Sequence, residues 1–283
     1  MDQVHHILTI DFESWILSEK IRKEKLTNSE LLYLDDKFTP ESLSVIIEIL
    51  KKHNQKITFF VCFKLEELYP GIIEKITKNG HEVGWHGYSH IPLTNTNILK
   101  SELNMSQKYL KKYNIKGFQA PGIIFFKRGY KVLKKYDFSY SSSTYGQPQK
   151  TTKIDGIIEI PVSTTKEVDN KDAFQNTRMD LSSLLRFGLP FGSSFFWSLL
   201  GEKNYHQKLV RAYGKGIPIN LFVHNWQIIS AWSKSKKFIP DEKESFFKNP
   251  LYFPYKKNVA GMFEYLLSRH KFTRMIDFAT KHK

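Results

Sequence analysis

Residues 80–90 read GHEVGWHGYSH: a glycine, a short run His81–Trp85 with strand character, then His86 and His90 separated by three residues. The segments on either side decide what kind of fold carries it. Upstream, Ile57–Phe63 (ITFFVCF) reads as a buried strand, and a helix near Leu65–Asn79 is expected to stop at Gly80. Downstream come a helix around Ile98–Tyr113, a strand at Gly117–Ala120, a helix over roughly Arg128–Tyr136 and strands near Phe138–Ser142 and Ile157–Pro161. Before it, His6–Ile10 is a first strand, followed by a helix from Thr39-Pro40-Glu41 to His53. Thr39 is read as its N-cap and Pro40 as its first helical residue. After an irregular stretch with a helix over Lys166–Leu200, helix Tyr205–Tyr213, strand Ile217–His224 and helix Val259–His270 close the chain. Arg269, Lys271 and Arg274 suit a helix C-terminus. Strand-length apolar runs alternating with amphipathic helices predict an α/β fold with a barrel-like arrangement of β-α units.

Composition fits one domain over residues 1–283, with the motif-bearing core at about 6–228 and a helical segment at about 256–283. The 283 residues are 41% hydrophobic and 14% aromatic, which excludes a disordered or collagen-like chain. A single cysteine, Cys62, excludes an intramolecular disulfide framework and a thiolate zinc cluster, and it reads as a small core residue. The N-terminal MDQVHHILTIDFESW has no basic region followed by an apolar one, and no stretch reaches the ~18–20 apolar residues of a spanning helix. A cytoplasmic location is therefore expected. The formal net charge is +15, concentrated between Ile98 and Lys135, where ten Lys and Arg face one acid, Glu102. That stretch is read first as a solvated basic face, and second as a surface for an anionic partner such as a membrane. Nucleic acid is disfavoured, because no helix-turn-helix, zinc-finger or RNA-recognition signature is present. The apolar stretches Ile123–Phe126 and Phe187–Leu200 are read as core or cleft lining ahead of lipid contact.

Three polar clusters fall at predicted C-terminal strand ends, where α/β barrels place active sites. They are Asp11-Phe12-Glu13, His86-Gly87-Tyr88-Ser89-His90, and His224-Asn225-Trp226. Each alone has an ordinary structural explanation. Together, two imidazoles and a carboxylate make the open three-ligand site of a catalytic metal, leaving a carboxylate and a histidine as base and acid.

These motifs resemble the NodB-homology polysaccharide deacetylases, carbohydrate esterase family 4. Ile7–Trp15 (ILTIDFESW) is similar to the first family motif. Ile57–Phe60 (ITFF) with Gly80–His90 is similar to the second, Gly117–Gly122 (GFQAPG) to the third and Phe138–Ser143 to the fourth. Ile158–Pro161 (IEIP) matches the strand seen between later motifs, and Leu221–Trp226 (LFVHNW) the last motif. The resemblance implies a distorted (β/α) barrel and a divalent metal, zinc or another transition metal, used to remove N-acetyl groups from sugars. By position it implies Glu13, His86 and His90 as metal ligands, Asp11 as base and His224 as acid. Asp11 remains the alternative carboxylate ligand. Gln119, Pro121, Gly122 and Trp226 are expected near the substrate, with a backbone N–H by Gly122 receiving the oxyanion.

Two positions depart from the family pattern. The third motif opens with Gln119 where the family has arginine, and the fourth carries Ser141 where the family has aspartate. Arg178, Arg186, Asp155 and Asp180 are the candidates to replace those charges in space. The expected substrate is an N-acetylated sugar or glycan, free, lipid-linked or nucleotide-linked. The competing reading is a glycan-binding pseudo-deacetylase on a retained barrel.

Overall fold

Strands buried on both faces read as unbroken apolar runs, and such strands belong to parallel sheets covered by helices. The computed structural model describes residues 5–166, 174, 181–230, 237 and 259–282. Its strands are β1 (His6–Phe12), β2 (Thr58–Val61), β3 (Glu82–Trp85), β4 (Gly117–Phe118), β5 (Tyr140–Ser141), β6 (Tyr145–Gly146), β7 (Thr152–Ile154), β8 (Ile157–Glu159), β9 (Val162–Ser163), β10 (Asn220–His224) and β11 (Phe272–Thr273). The main sheet runs β10-β1-β2-β3-β4-β5-β8-β7, with β11 also on β1. Its pairs are parallel except β7 with β8.

The sheet curls, and its gap is nearly closed by main-chain bonds. Val162 N–H donates to Thr144 O at 2.8 Å, Gly192 N–H to Ser163 O at 2.8 Å, and Phe222 N–H to Gly192 O at 2.8 Å. Backbone passes so close at this seam that a Cβ on Gly192 would stand 2.4 Å from Asn220 O. Only glycine fits there. The result is the expected distorted barrel, with a core including Ile7, Leu8, Ile10, Phe59, Val61, Trp85, Phe118 and Val223.

Several local expectations need correcting. Two short helices, Glu19–Lys23 and Asn28–Asp35, follow β1, and the helix expected from Thr39 to His53 spans Phe38–Lys52, so Thr39 lies inside it. Thr39 instead donates its N–H to Asp35 Oδ2 at 2.9 Å and its hydroxyl to Asp35 Oδ1 at 2.8 Å, and Asp35 thus takes the capping role. The helix expected over Leu65–Asn79 is two, Lys64–Leu68 and Ile72–Lys78, because Pro70 cannot continue a helix. The helix expected at Tyr205–Tyr213 lies within Trp197–Gly214, a helical span broken by a kink at Gly201, where φ is +70°. At the chain's end, helix Ala260–Arg269 is followed by β11 and helix Met275–Lys281. Arg274 is accordingly an N-cap residue, paired with Asp277 at 2.8 Å, and not part of a helix C-terminus.

The basic stretch folds into helices Thr96–Lys112 and Gly129–Lys135. Lys100, Lys108, Lys111, Lys112, Lys127, Arg128, Lys131, Lys134 and Lys135 are exposed, while its one acid, Glu102, is fully buried. Ile123, Ile124, Phe125, Phe191, Phe195, Phe196 and Trp197 are buried, in keeping with the core reading of both apolar stretches. Among the described residues, no helix is long and apolar enough to cross a membrane.

Candidate active site

Parallel register brings the predicted residues to one level. Asp11 pairs with His224 across β1 and β10 and with Phe60 across β1 and β2; Val61 then pairs with Trp85, and Trp85 with Phe118. The next residues along the chain, His86 after Trp85 and Gln119 after Phe118, therefore emerge at the same sheet edge as Glu13.

Glu13, His86 and His90 each present a ligand atom, and these atoms lie within 4.8 Å of one another. His86 Nε2 is 3.9 Å from Glu13 Oε2 and 3.9 Å from Asp11 Oδ2, and His90 Nε2 is in direct contact with Glu13 Oε2. His224 Nε2 is 3.7 Å from Glu13 Oε1 and 4.0 Å from Asp11 Oδ2. The structure thus brings all five predicted groups together.

Their neighbours set which atoms are available. His86 Nδ1 bonds the carbonyl of Gln119 at 2.9 Å, so Nδ1 carries the proton and Nε2 keeps its lone pair for the cluster. His224 Nδ1 is 2.8 Å from Gln227 Oε1 and 3.2 Å from Ser194 Oγ, an arrangement that leaves Nε2 facing Asp11 and Glu13. Trp226 Nε1–H donates to Glu13 Oε1 at 2.8 Å, and its ring stacks on His224 with centroids 4.7 Å apart. The Glu13 N–H donates to Asn225 Oδ1 at 3.1 Å.

Glu13 Oε2 is buried and lies against two imidazole nitrogens, in direct contact with His90 Nε2. A buried carboxylate oxygen facing imidazole lone pairs is the donor set of a divalent cation. The residues therefore fit the metal that the motifs imply.

Electrostatics separate the two carboxylates. Burial, and then the charge of Glu13, push Asp11 well above the ordinary aspartate range. Burial also opposes ionisation of Glu13, but the combined effect of His90, His224 and His86 outweighs it and holds Glu13 below its usual range. Burial lowers His86 to about 3. His224 is lowered too, by burial, against the opposing pull of Glu13 and the Gln227 bond.

The two departures from the family pattern are resolved by amides. Gln119 is fully buried, and with its amide nitrogen turned to Asp11 it donates to both carboxylate oxygens, at 3.1 Å to Oδ2. A neutral donor thus occupies the place beside Asp11. Ser141 does not touch His224; its hydroxyl donates to Ser143 Oγ at 2.9 Å, within a buried network around Glu159. Gln227 and Ser194 are the partners of His224 instead. Of the proposed charge substitutes, Arg186 is exposed and bonds Phe174 O, and Asp155 sits on the turn between β7 and β8. Arg178 and Asp180 lie outside the described residues. Pro121 packs beside Gly87 of the histidine loop, and Gly122 is exposed on the turn Pro121–Ile123 with φ +64°.

A curled parallel sheet with a carboxylate and two histidines at the carboxyl ends of its strands is the arrangement that an open metal site on a barrel requires. Residues 24–141 match the family model described as polysaccharide deacetylase. That stretch carries His86, His90 and Gln119. The chain is 38% identical over 88 residues to a peptidoglycan-N-acetylglucosamine deacetylase of Bacillus cereus, covering 28% of this chain and 30% of that protein. The chain therefore spans less than a third of that relative's length. Among solved structures, a polysaccharide deacetylase from Mycobacterium smegmatis, titled putative, superposes with a TM-score of 0.59 at 13% identity, covering 99% of this chain and 91% of the other. Puue allantoinase superposes with a TM-score of 0.57 at 13% identity, covering 97% and 88%. These two likenesses are of fold.

Proposed function

We propose that this chain is a metal-dependent deacetylase that hydrolyses the N-acetyl group of an amino sugar in a glycan or glycan precursor. The observation that carries the reading is the Glu13–His86–His90 cluster beside Asp11 and His224. Glu13 Oε2, His86 Nε2 and His90 Nε2 would hold the cation. Two imidazoles and one carboxylate suit zinc first among the divalent transition metals. Bound there, a divalent cation supplies Lewis acidity to water and to an acyl oxygen.

The chain's own groups account for the proton movements. Asp11, whose desolvated carboxylate is a stronger base than a surface aspartate, accepts the proton of the attacking water. Gln119 fixes that carboxylate through its two donated bonds without adding charge. His224, across the strand pair, enters as the imidazolium, its Nδ1–H held by Gln227 Oε1, and gives its Nε2 proton to the departing nitrogen, since an amide anion is a very poor leaving group. The Gly122 N–H is the donor assigned to the oxyanion. Trp226 ties the two halves together by holding both Glu13 and His224.

The test is metal content by mass spectrometry together with acetate release from free, lipid-linked and nucleotide-linked N-acetylhexosamines. Stoichiometric metal with acetate release from one of these carriers supports the reading. Stoichiometric metal with no acetate release from any of them replaces it with the glycan-binding pseudo-deacetylase, which the neutral Gln119 beside Asp11 favours.

A further inference from the structure

The loop that carries both cluster histidines has an unusual backbone and is held from two sides by opposite charges. Gly87 and His90 both have positive φ, +78° and +58°. A histidine pays for that conformation, and strain of this kind persists only where surrounding bonds enforce it. Those bonds are specific. Glu102, fully buried on the helix behind the loop, accepts the N–H groups of Tyr88 and Ser89 on Oε2 at 2.7 and 2.9 Å. Its Oε1 accepts the Ser89 hydroxyl at 2.5 Å. On the carbonyl side, Arg22 Nη1 donates to His90 O at 3.2 Å, to Ser89 O at 3.4 Å and to Leu17 O.

Burying a carboxylate is costly, and among the described residues no cation lies in ion-pair contact with Glu102. Its charge is met by loop donors instead. Three donors converge on the two oxygens, the Tyr88 and Ser89 N–H groups on Oε2 and the Ser89 hydroxyl on Oε1, and a carboxylate makes them charge-assisted bonds where a glutamine makes neutral ones. A second buried carboxylate shows the same bonding away from the site. Glu66 accepts Gly71 N–H at 3.1 Å, Ile73 N–H at 2.9 Å and the Tyr113 hydroxyl at 2.8 Å.

We propose that Glu102 and Arg22 are positioning residues that aim His86 and His90 by clamping the donor and acceptor sides of the loop between them. This rests on the metal-site reading above. The clamp preorganises two ligands at once, so loosening it weakens cation binding without removing any ligand.

The experiment is zinc affinity of the full chain by competition with a chromophoric chelator, with thermal stability measured in parallel. Glu102→Gln and Arg22→Gln are expected to weaken zinc by about 10- to 100-fold. Glu66→Gln, the matched control, is expected to lose stability and keep wild-type zinc affinity. If Glu102→Gln does not fold, Ser89→Ala removes one of the three donors and is expected to weaken zinc in the same direction. Wild-type affinity in whichever of these loop variants folds overturns the clamp while leaving the metal site standing. Absence of zinc binding by the wild type overturns both the clamp and the reading beneath it.

Discussion

Asp11 and His224 are register partners across a parallel strand pair, with His224 Nε2 4.0 Å from Asp11 Oδ2. Neither is in the Glu13–His86–His90 group, so under the proposed function the site separates into a ligand set and a proton-transfer pair. The two sets predict different phenotypes. His86→Ala is expected to lose bound metal. His224→Ala is expected to keep metal and lose about 10²- to 10⁴-fold in turnover. Equal metal loss in both would remove the acid role from His224.

The Gln119 amide beside Asp11 sets a second expectation. Burial and Glu13 raise the Asp11 carboxyl, and Gln119 adds no charge to oppose them. Gln119→Arg introduces a cation that favours the ionised base. The acidic limb of the kcat/KM profile is therefore expected to move to lower pH, by about 1 to 3 pH units. A limb that stays in place, in a variant with wild-type melting, would mean that Asp11 is not the titrating base.

The bond of Trp226 to Glu13 and its stack on His224 can be separated. Trp226→Phe keeps a ring over His224 and removes the donor to Glu13. A bond to a charged acceptor contributes about 1.5–3 kcal/mol, so kcat/KM is expected to fall about 10-fold or more with the fold intact. Unchanged kinetics would assign the indole N–H no part in holding Glu13.

Two buried histidines away from the site predict acid lability. His6 Nε2 lies 3.0 Å from Leu209 O, while His6 Nδ1 accepts the Ile219 N–H. His81 Nδ1 accepts the Ile57 N–H at 3.3 Å. Burial lowers both to about 4. In the unfolded chain they bind protons near pH 6.5, so the unfolded state holds more protons between the two values. Their stabilisation is full above about pH 6.5 and lost as pH falls towards 4, by a few kcal/mol in order of magnitude. Melting temperature should drop between pH 7 and pH 5, and less steeply in a His81→Gln variant. An equal slope in the two proteins would count against this assignment.

The barrel seam gives a stability contrast. Gly192→Ala forces a Cβ to 2.4 Å from Asn220 O and 2.7 Å from Ser163 N, and is expected to cost about 3 kcal/mol or more. Gly214→Ala, at a helical position with open space around it, is expected to be neutral or stabilising. Denaturant unfolding of the two variants checks the pair, and similar midpoints would mean the seam has room to yield.

The long apolar strands were legible in the sequence, as were the chemical groups at their ends, because periodicity and residue type are both one-dimensional signals. Strands β6, β9 and β11 were not, since two residues carry no period. Their pairing is decided by what the rest of the sheet leaves open. The break at Pro70 was visible and went unread. Glu102 was counted as the one acid in a basic stretch, yet it falls on the same helix face as Leu99, Leu103, Ser106 and Leu110, which is where its burial was written. Gln227 gave no signal of its own: nothing in His224-Asn225-Trp226-Gln227 says that the amide turns back onto the imidazole.

β1 meets β2 early, but its other neighbours, β10 and β11, are encoded far along the chain. During synthesis its outer edge therefore waits through most of translation with main-chain donors and acceptors uncovered, a period in which the nascent chain invites aggregation and chaperone capture. Pairing over such sequence distance is also slow. Asp11 faces His224 only once that edge is occupied, so the two side chains meet no earlier than β10 pairs with β1.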